Sequence, residues 1–349
     1  MKGVIRILCL TALGFGTTVS ARPLDAPHRT TGSPKQTTSA VSESPATECT
    51  VPESPAALRS GYIPVSGSGS IYYEEAGCGE PLILLHGHTL DRRMWDPQFE
   101  TFSKKFRTIR LDFRGYGRSS RQLDGLHFMH LDDLLTVLDS LHIDKAHVVG
   151  LSMGAFIAGD MLAMAPERMR SCVMASGGIR SLKGPHEPMD SLESARRDRE
   201  IAEVERKGLA TAKQEWLEQL VSGGGSRREE IREPLRRIID DWDGWQWLHK
   251  EARAFWAREA FQALEERRPD VPTLMFKGEY DLRGKPYRPR ELRCLPRIRA
   301  VVLPDCGHMS NMEQPEAFSR LVLGFLEGGV ESIPRDDSGN RPESPPEGR

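Results

Sequence analysis

The sequence lacks an excess of either charge. Its 349 residues include 48 lysine or arginine and 50 aspartate or glutamate side chains, which gives a formal net charge of −2. Because a protein that binds nucleic acid needs a basic surface to attract the phosphate backbone, this balance argues against a nucleic-acid partner. The sequence also lacks a C-x-x-C pair and any cysteine–histidine cluster with the spacing of a zinc site, so we expect no metal.

No apolar run reaches the roughly 20 residues that a membrane-spanning helix needs. Residues 7–19 are mostly apolar, Lys2 and Arg6 precede them, and small residues follow at positions 19–21. This pattern is typical of a signal peptide that is cleaved after Ala21. We therefore predict a signal peptide over residues 1–21 and export to the periplasm or the medium, without a membrane span after cleavage. An uncleaved membrane anchor is the alternative.

Cysteine is scarce, and an odd number of cysteines remains after the predicted cleavage. Of the six cysteines, Cys9 lies inside the apolar region of the predicted signal peptide. Five remain after cleavage, so at least one thiol is unpaired unless it pairs between chains. Export permits disulfides, but the sequence does not choose partners among Cys49, Cys78, Cys172, Cys294 and Cys306.

Two segments have few large apolar side chains. Residues 22–58 are rich in proline, serine and threonine, and residues 329–349 have the same character. Such segments bury too little apolar surface to offset the entropy of ordering, so we predict a disordered linker and a disordered tail. No internal repeat is present in the folded part between them.

Short apolar runs alternate with helical stretches through this folded part. Helices are predicted near residues 97–105, 128–141, 153–164 and 314–326, and strands at the runs IYYEEAG, PLILLHG, RTIRLDF, KAHVVGLS, RSCVMASGG, PTLMFKG and RAVVLPD. Nearly continuous apolar strands separated by helices are typical of an α/β protein, with a mostly parallel sheet that helices cover on both faces.

The alternation stops between residues 179 and 268. This segment is helical and highly charged, with SGGGS (residues 222–226) as an internal break, and we predict a helical insertion above the sheet. The core would then comprise residues 59–178 and 269–328. Because an indole ring is large, we expect the five tryptophans of this segment to lie in the interior of the helical layer and not in a substrate wall. They are Trp216, Trp242, Trp245, Trp247 and Trp256.

One serine lies between two glycines at a predicted strand-to-helix junction. Residues 150–154 read GLSMG and fit the pattern G-x-S-x-G, in which a tight turn presents the Ser152 hydroxyl above the sheet. The N–H groups at the start of the helix would face any negative charge that develops there. Taken alone, the motif is explained equally well by a serine that caps the helix between packing glycines.

Further motifs follow other predicted strands. LLHGH ends an early strand and places the backbone N–H of His88 where it can join that of Met153 as an oxyanion donor pair. DFRGYGRSS follows the next strand, GEYD places Asp281 after a late strand, and DCGH places His308 after the last. Ser152, Asp281 and His308 thus occur in the chain order Ser, Asp, His, each after a strand.

Together these motifs resemble the α/β-hydrolase superfamily over nearly the whole folded part. The resemblance implies an eight-stranded, mostly parallel sheet and a lid formed by the helical insertion. It also implies a catalytic triad in which His308 takes the proton of Ser152 and Asp281 orients the imidazole. The alternative to Asp281 is Glu279 in the same turn, and the alternative for His308 is a loop histidine packed beside Cys306.

Other polar residues of these motifs have structural interpretations. We predict that the His86 side chain supports its loop and that Asp112 and Arg114 brace the glycine-rich turn by hydrogen bonds. The imidazole of His88 is less usual at its position, and we hypothesise that it faces the pocket and binds substrate.

The residues at and beside Ser152 also limit which reaction classes are compatible with the sequence. A serine here differs from the aspartate of epoxide hydrolases and haloalkane dehalogenases, and Met153 differs from the tryptophan of proline iminopeptidases. GLSMG with MWDPQ (residues 94–98) resembles the serine esterase and enol-lactone hydrolase branch. We expect hydrolysis of a small-molecule carboxylic ester or lactone through an acyl-serine intermediate, without a cofactor.

Three alternatives remain open from the sequence. They are a carbon–carbon bond hydrolase, a cofactor-free haloperoxidase-like esterase and a catalytically silent binding protein of the same fold. The sequence leaves the oligomeric state open.

Overall fold

A computed structural model of the protein describes residues 57–121, 128–179, 191–249, 260–281 and 293–334. The predicted signal peptide and nearly all of the predicted linker lie outside the described residues, as do Trp256 and the chain beyond residue 334. Export and the disorder of the residues outside these ranges therefore stay predictions. The start of the predicted tail is ordered: Gly329–Ser332 form a short 3₁₀ helix, and Val330 and Ile333 are buried. Within the described ranges, no helix has the length and apolar character needed to cross a bilayer.

Eight strands form one sheet in the order β1-β2-β4-β3-β5-β6-β7-β8. β1 pairs antiparallel with β2, and β2 pairs antiparallel with β4, whereas the pairs from β4 through β3 to β8 are parallel. The mostly parallel sheet is thus as predicted. The strands are β1 Arg59–Val65, β2 Gly69–Ala76, β3 Pro81–Leu85, β4 Arg107–Leu111, β5 Ala146–Leu151, β6 Met169–Ala175, β7 Thr273–Gly278 and β8 Ile298–Leu303.

The edge strand β1 is not among the runs identified in the sequence. Its sequence RSGYIPV buries only Ile63 and Val65, so it lacks the continuous apolar character of the inner strands. Gly61 and Pro64 further weaken the strand pattern, and a proline is tolerated here because an edge strand has one side without ladder partners. Full pairing with β2 forms the strand in spite of its composition.

Helices cover the core of the sheet. Every residue of β5 is buried, which requires cover on both faces. α3 packs against β5, β6, α2 and α8, whereas α1 packs against β4 and α10. The core helices are α1 Asp96–Ser103, α2 His130–Ser140, α3 Met153–Met164, α8 Ala260–Arg267 and α10 Pro315–Gly328, with the short α9 Ser310–Glu313 before α10.

Among the described residues, four further helices lie between β6 and α8 in the chain. They are α4 Ser191–Lys207, α5 Leu209–Ser222, α6 Arg232–Asp241 and α7 Trp245–Leu248. This helical layer contacts loops that follow strands: Trp216 Nε1 donates to Thr89 Oγ1 over 2.8 Å, and Gln246 Nε2 donates to the carbonyl of Gly115 over 3.1 Å. The helices therefore lie at the edge of the sheet where the parallel strands end; that they act as a lid stays a prediction. The predicted insertion, residues 179–268, also includes α8, but the structure packs α8 against α3 of the core.

Three tryptophans of the helical layer, Trp216, Trp242 and Trp247, pack against one another. Trp242 and Trp247 have perpendicular rings with centroids 4.8 Å apart, and Trp216 meets Trp247 edge-on at 6.2 Å. All three are buried, which agrees with the interior role favoured by their size.

Three of the cysteines, Cys172, Cys294 and Cys306, are buried in the core. Burial raises the pKa of Cys172 well above its ordinary value and that of Cys306 to about 12. Since the thiolate is the reactive form, the raised pKa values of Cys172 and Cys306 lower the reactivity of these two thiols near neutral pH. Cys49 lies outside the described residues.

Candidate active site

Ser152 lies at a strained turn between β5 and α3. Its φ is 55° and its ψ −110°, a left-handed backbone conformation that costs a residue with a side chain about 1–3 kcal/mol. The turn is held in place by the Ser152 N–H, which donates to the Ala175 carbonyl over 2.9 Å. In α3, which is described throughout, the hydroxyl of Ser152 caps none of the N–H groups. The capping interpretation of the motif is therefore not supported.

The flanking glycines are required by close backbone approaches. A Cβ on Gly150 would overlap the carbonyl of Gly154, and a Cβ on Gly154 would overlap the carbonyl oxygen of Leu85. On the other side, a Cβ on Gly177 would lie 2.7 Å from the Ser152 carbonyl oxygen. These contacts exclude a side chain at all three glycine positions around Ser152.

The structure brings Asp281 and His308 together. Asp281 follows β7, His308 lies in the loop after β8, and Nδ1 of the imidazole is 3.0 Å from Oδ2 of the carboxylate. Both side chains are nearly buried, with exposed fractions of 10% for His308 and 3% for Asp281. Glu279, the alternative carboxylate, is exposed and accepts the N–H of Asp305 over 3.0 Å. Asp281, not Glu279, is therefore the partner of the imidazole.

The loop after β3 lies against Ser152. A Cβ on Gly87 would be 3.6 Å from the Cβ of Ser152, which places the neighbouring residue His88 beside the same turn. Met153 is the first residue of α3, where an N–H has no partner within the helix. The two backbone positions named as oxyanion donors therefore belong to segments that meet at Ser152.

His86 connects two of these loops. Its Nδ1–H donates to the Gly87 carbonyl over 2.8 Å, and its Nε2 accepts the Phe113 N–H over 3.0 Å. Burial lowers the pKa of the imidazole to about 4, so the ring is neutral near pH 7. This arrangement agrees with a structural role for the His86 side chain.

Asp112 and Arg114 brace the turn after β4. The carboxylate of Asp112 accepts the backbone N–H groups of Arg92 and Arg118, each over 2.8 Å. Arg114 makes two hydrogen bonds to Asp133, over 2.9 and 2.8 Å, at a position with almost no solvent exposure. Burial raises the pKa of Asp112 to about 6.

The imidazole of His88 lies among aromatic rings of both the core and the helical layer. Its Nδ1 is 2.6 Å from the hydroxyl of Tyr116, and its ring meets those of Trp242 and Trp247 with centroids 5.5 and 6.4 Å apart. The Tyr116 hydroxyl also lies 3.6 Å from Sδ of Met153. Sequence reasoning missed Tyr116, whose only signal is its place between the two glycines of the glycine-rich turn.

The described residues of this region do not form a set of metal ligands. Across the described ranges, no three or more histidine, cysteine, aspartate or glutamate side chains cluster with a geometry that could hold a metal ion. The groups around Ser152 are a hydroxyl, an imidazole paired with a carboxylate, and backbone N–H donors. These are the groups that acyl transfer uses.

The buried His86 gives an expected pH dependence of stability. Its pKa is about 4 in the folded state and about 6.5 in the unfolded chain, so between these values the unfolded state binds more protons. Stability therefore falls as the pH drops, by about 2 kcal/mol from pH 7 to pH 5 for this group. Urea unfolding of the wild type and of His86→Asn at both pH values should show that the variant lacks this part of the decrease.

Asp112 acts in the opposite direction, because its raised pKa favours the folded state as the pH falls from about 6 toward 4. Both proteins carry Asp112, so its contribution cancels in the difference between them. An identical pH dependence in wild type and His86→Asn would contradict the assignment to His86.

The sequence model of the Alpha/beta hydrolase family matches residues 82–321 of this chain. The match runs from β3 into α10 and includes all three residues of the predicted triad. Together with the eight-stranded sheet, it confirms the predicted fold class.

Individual relatives share only a low sequence identity with this chain. Carboxylesterase YbfK of Bacillus subtilis is 28% identical over 260 residues, which cover 71% of this chain and 81% of that protein. The putative non-heme bromoperoxidase BpoC of Mycobacterium tuberculosis is 27% identical over 268 residues, which cover 74% of this chain and 97% of that protein. The crystal structure of naproxen esterase (carboxylesterase NP) from Bacillus subtilis superposes with a TM-score of 0.59 at 25% identity, covering 78% of this chain and 92% of that one.

Proposed function

The chain belongs to the alpha/beta hydrolase family, and we propose that it is an exported serine hydrolase that cleaves a small-molecule carboxylic ester or lactone through an acyl-serine intermediate. The observation that carries the proposal is the nearly buried contact of 3.0 Å between His308 Nδ1 and Asp281 Oδ2. Both residues follow parallel strands, as does Ser152 at its strained turn, so all three lie at the same edge of the sheet.

The proposed reaction begins when Nε2 of His308 takes the proton of the Ser152 hydroxyl as Oγ attacks the carbonyl carbon. Asp281 accepts a hydrogen bond from Nδ1–H, which fixes the tautomer and stabilises the imidazolium. The tetrahedral oxyanion accepts the N–H groups of His88 and Met153; loss of one such donor typically raises the barrier by about 3 kcal/mol.

The imidazolium then gives its proton to the alkoxide oxygen that leaves, and the acyl group stays on Ser152. A water molecule then releases the acyl group. His308 takes a proton from the water, the hydroxide oxygen attacks the acyl carbon, and Ser152 Oγ leaves with the proton returned from Nε2. An acid and an alcohol are released, or one hydroxy acid from a lactone.

Two relatives support an ester as the substrate, because YbfK and the naproxen esterase are both described as carboxylesterases. The similarity to BpoC favours a second candidate, a haloperoxidase-like esterase that would use the same serine and histidine. The carbon–carbon bond hydrolase remains an alternative because it uses the same triad.

A graded series of p-nitrophenyl esters tests the substrate class. We expect turnover by the wild type, with kcat/KM highest for one acyl length, because the predicted lid would limit the acyl groups that fit. Release of p-nitrophenol followed by absorbance is the measurement, and Ser152→Ala is the control. If the wild type hydrolyses no ester of any acyl length, the esterase proposal is wrong.

A further inference from the structure

A buried carboxylate, Glu313, links the loop of His308 to the helical layer. Glu313 ends α9 and has no solvent exposure. Its two carboxylate oxygens accept the N–H of Gly307, the residue before His308, over 3.0 and 3.2 Å. Its Oε2 also accepts the N–H of Gly225 over 2.7 Å. Gly225 lies between α5 and α6, so one side chain holds two segments that are 82 residues apart in the sequence.

The segment that contains Gly225 fits closely against the loop of the histidine. We call residues 224–226 the glycine loop. A Cβ on Gly225 would overlap the carbonyl oxygen of Asp305, and a Cβ on Gly224 would lie 2.7 Å from Oε2 of Glu313. Ser226 N–H donates to Asp305 Oδ1 over 2.8 Å, and the Ser226 hydroxyl also binds this carboxylate. The predicted break between helices is confirmed, since SGGGS joins the end of α5 to the segment before α6. Its glycines also permit close docking, which the sequence did not predict.

The histidine side of this contact is equally tight. A Cβ on Gly307 would lie 2.9 Å from Cα of Gly224, and a Cβ on Gly278 would overlap the carbonyl oxygen of Gly307. Gly278 is the last residue of β7, three residues before Asp281. The backbone on the N-terminal side of His308 is therefore enclosed by β7 and by the glycine loop, and Glu313 binds the N–H groups of both loops.

Keeping a carboxylate at this position is costly. Burial raises the pKa of Glu313, the N–H donors of Gly225 and Gly307 oppose that rise, and the charges of Asp305 and Asp281 add to it. A buried carboxylate is tolerated only where hydrogen bonds replace its water. The N–H groups of the two loops supply these bonds, so the carboxylate and the loop geometry depend on each other.

We propose that Glu313 is a positioning residue for the hydrolysis: it holds the backbone at Gly307 so that the His308 imidazole stays on Asp281, and it makes this position depend on the docked glycine loop. The inference rests on the proposed function, since His308 must act as the base. The helical layer is then part of the support of the histidine, in addition to its predicted role as a lid.

Glu313→Gln tests the carboxylate, with Glu316→Gln as a matched control. The glutamine amide has one oxygen, and its NH₂ group would face an N–H donor, so at least one contact with Gly307 or Gly225 is lost. Glu316 also contacts the chain between α5 and α6, through Arg227 over 3.1 Å. Its side chain is 68% exposed, and no hydrogen bond among the described residues joins it to the loop of His308.

We expect kcat of Glu313→Gln on a p-nitrophenyl ester to fall about 10- to 100-fold, the effect of displacing a catalytic group by about 1 Å. KM should stay within about twofold, because the substrate pocket is not changed. Glu316→Gln should keep both constants within about twofold, as expected for an exposed ion pair.

Gly225→Ala tests the docking without changing any charge. Its Cβ would force the glycine loop away from Asp305, and we expect the same decrease in kcat as for Glu313→Gln. Gly223→Ala is the matched control, because its Cβ would have its nearest neighbour, the carbonyl oxygen of Gln219, at an ordinary 3.7 Å. The φ of Gly223 is −86°, which alanine adopts without strain.

Circular dichroism melting and the rate of labelling by a fluorophosphonate complete the experiment. The proposal is supported if Glu313→Gln and Gly225→Ala melt cooperatively, keep KM, and lose kcat and labelling rate in parallel while both controls do not. It is overturned if a folded Gly225→Ala or Glu313→Gln keeps the wild-type kcat, or if the controls lose as much. If Glu313→Gln does not fold, the outcome of Gly225→Ala decides.

The wild type separates this inference from the proposed function. A wild-type protein that neither turns over esters nor reacts with the fluorophosphonate contradicts the serine hydrolase itself. If the wild type hydrolyses esters and reacts with the fluorophosphonate, and Glu313→Gln and Gly225→Ala do so equally fast, only the role of Glu313 is contradicted.

Discussion

Replacing Ser152 with alanine should abolish ester hydrolysis and leave the fold intact. We expect kcat to fall by a factor of at least about 10⁴, since the residual rate then comes only from substrate binding and the oxyanion donors. The hydroxyl caps none of the N–H groups of α3, and alanine meets much the same backbone strain at a φ of 55° as serine does. The thermal midpoint should therefore shift by only a few degrees.

Steady-state assays and labelling by a fluorophosphonate measure this effect, and the chain offers a matched control in Ser176. Ser176 also has a positive φ, 51°, and follows β6, the strand beside β5. Its buried hydroxyl makes no hydrogen bond to any described residue. Ser176→Ala should keep activity within about twofold, as for a substitution that removes no interaction. Labelling of Ser152→Ala at the wild-type rate would show that another residue is the nucleophile.

The inner strands and the turn at Ser152 could be predicted because their signals are local. β5 is apolar at nearly every position, which is the pattern of a strand covered on both faces. The glycines at 150 and 154 mark a turn where two backbones approach closely, and the structure shows these approaches directly. Asp281 and His308 were identifiable because each follows a strand, and parallel strands end at the same edge of the sheet.

The contacts between loops could not be predicted, because they join residues that are distant in the chain and follow no period. The bond from Trp216 to Thr89 spans 127 positions and that from Gly225 to Glu313 spans 88. β1 was missed for a related reason: only its pairing with β2, and not its own composition, makes it a strand.

Glycine composition is the plainest case of this limit. SGGGS predicts equally a flexible break and a segment that must approach another backbone, because both require the absence of a Cβ. Only the neighbours decide between the two, and here the carbonyl of Asp305 and the carboxylate of Glu313 occupy the space that side chains on Gly225 and Gly224 would need.

Asp281→Asn should lower kcat by about 10³- to 10⁴-fold without unfolding the protein. The carboxylate accepts the Nδ1–H of His308 and so leaves Nε2 unprotonated, ready to take the proton of Ser152. An asparagine amide can turn its NH₂ group toward Nδ1, which then must be the unprotonated nitrogen. Nε2 would carry the proton and could no longer act as a base. Since asparagine matches aspartate in shape and still forms one hydrogen bond, KM and the melting temperature should change little.

Glu279→Gln is the control for this experiment, because Glu279 lies in the same turn and was the alternative partner of the histidine. Its exposed side chain accepts only the backbone N–H of Asp305 among the hydrogen bonds of the described residues, and a glutamine oxygen can accept the same bond. We expect kcat within about threefold of the wild type, as for most surface substitutions. A large loss in Glu279→Gln with an active Asp281→Asn would show that the contact of 3.0 Å does not carry the catalysis. A large loss in Asp281→Asn with an active Glu279→Gln would show that hydrolysis depends on the tautomer of His308.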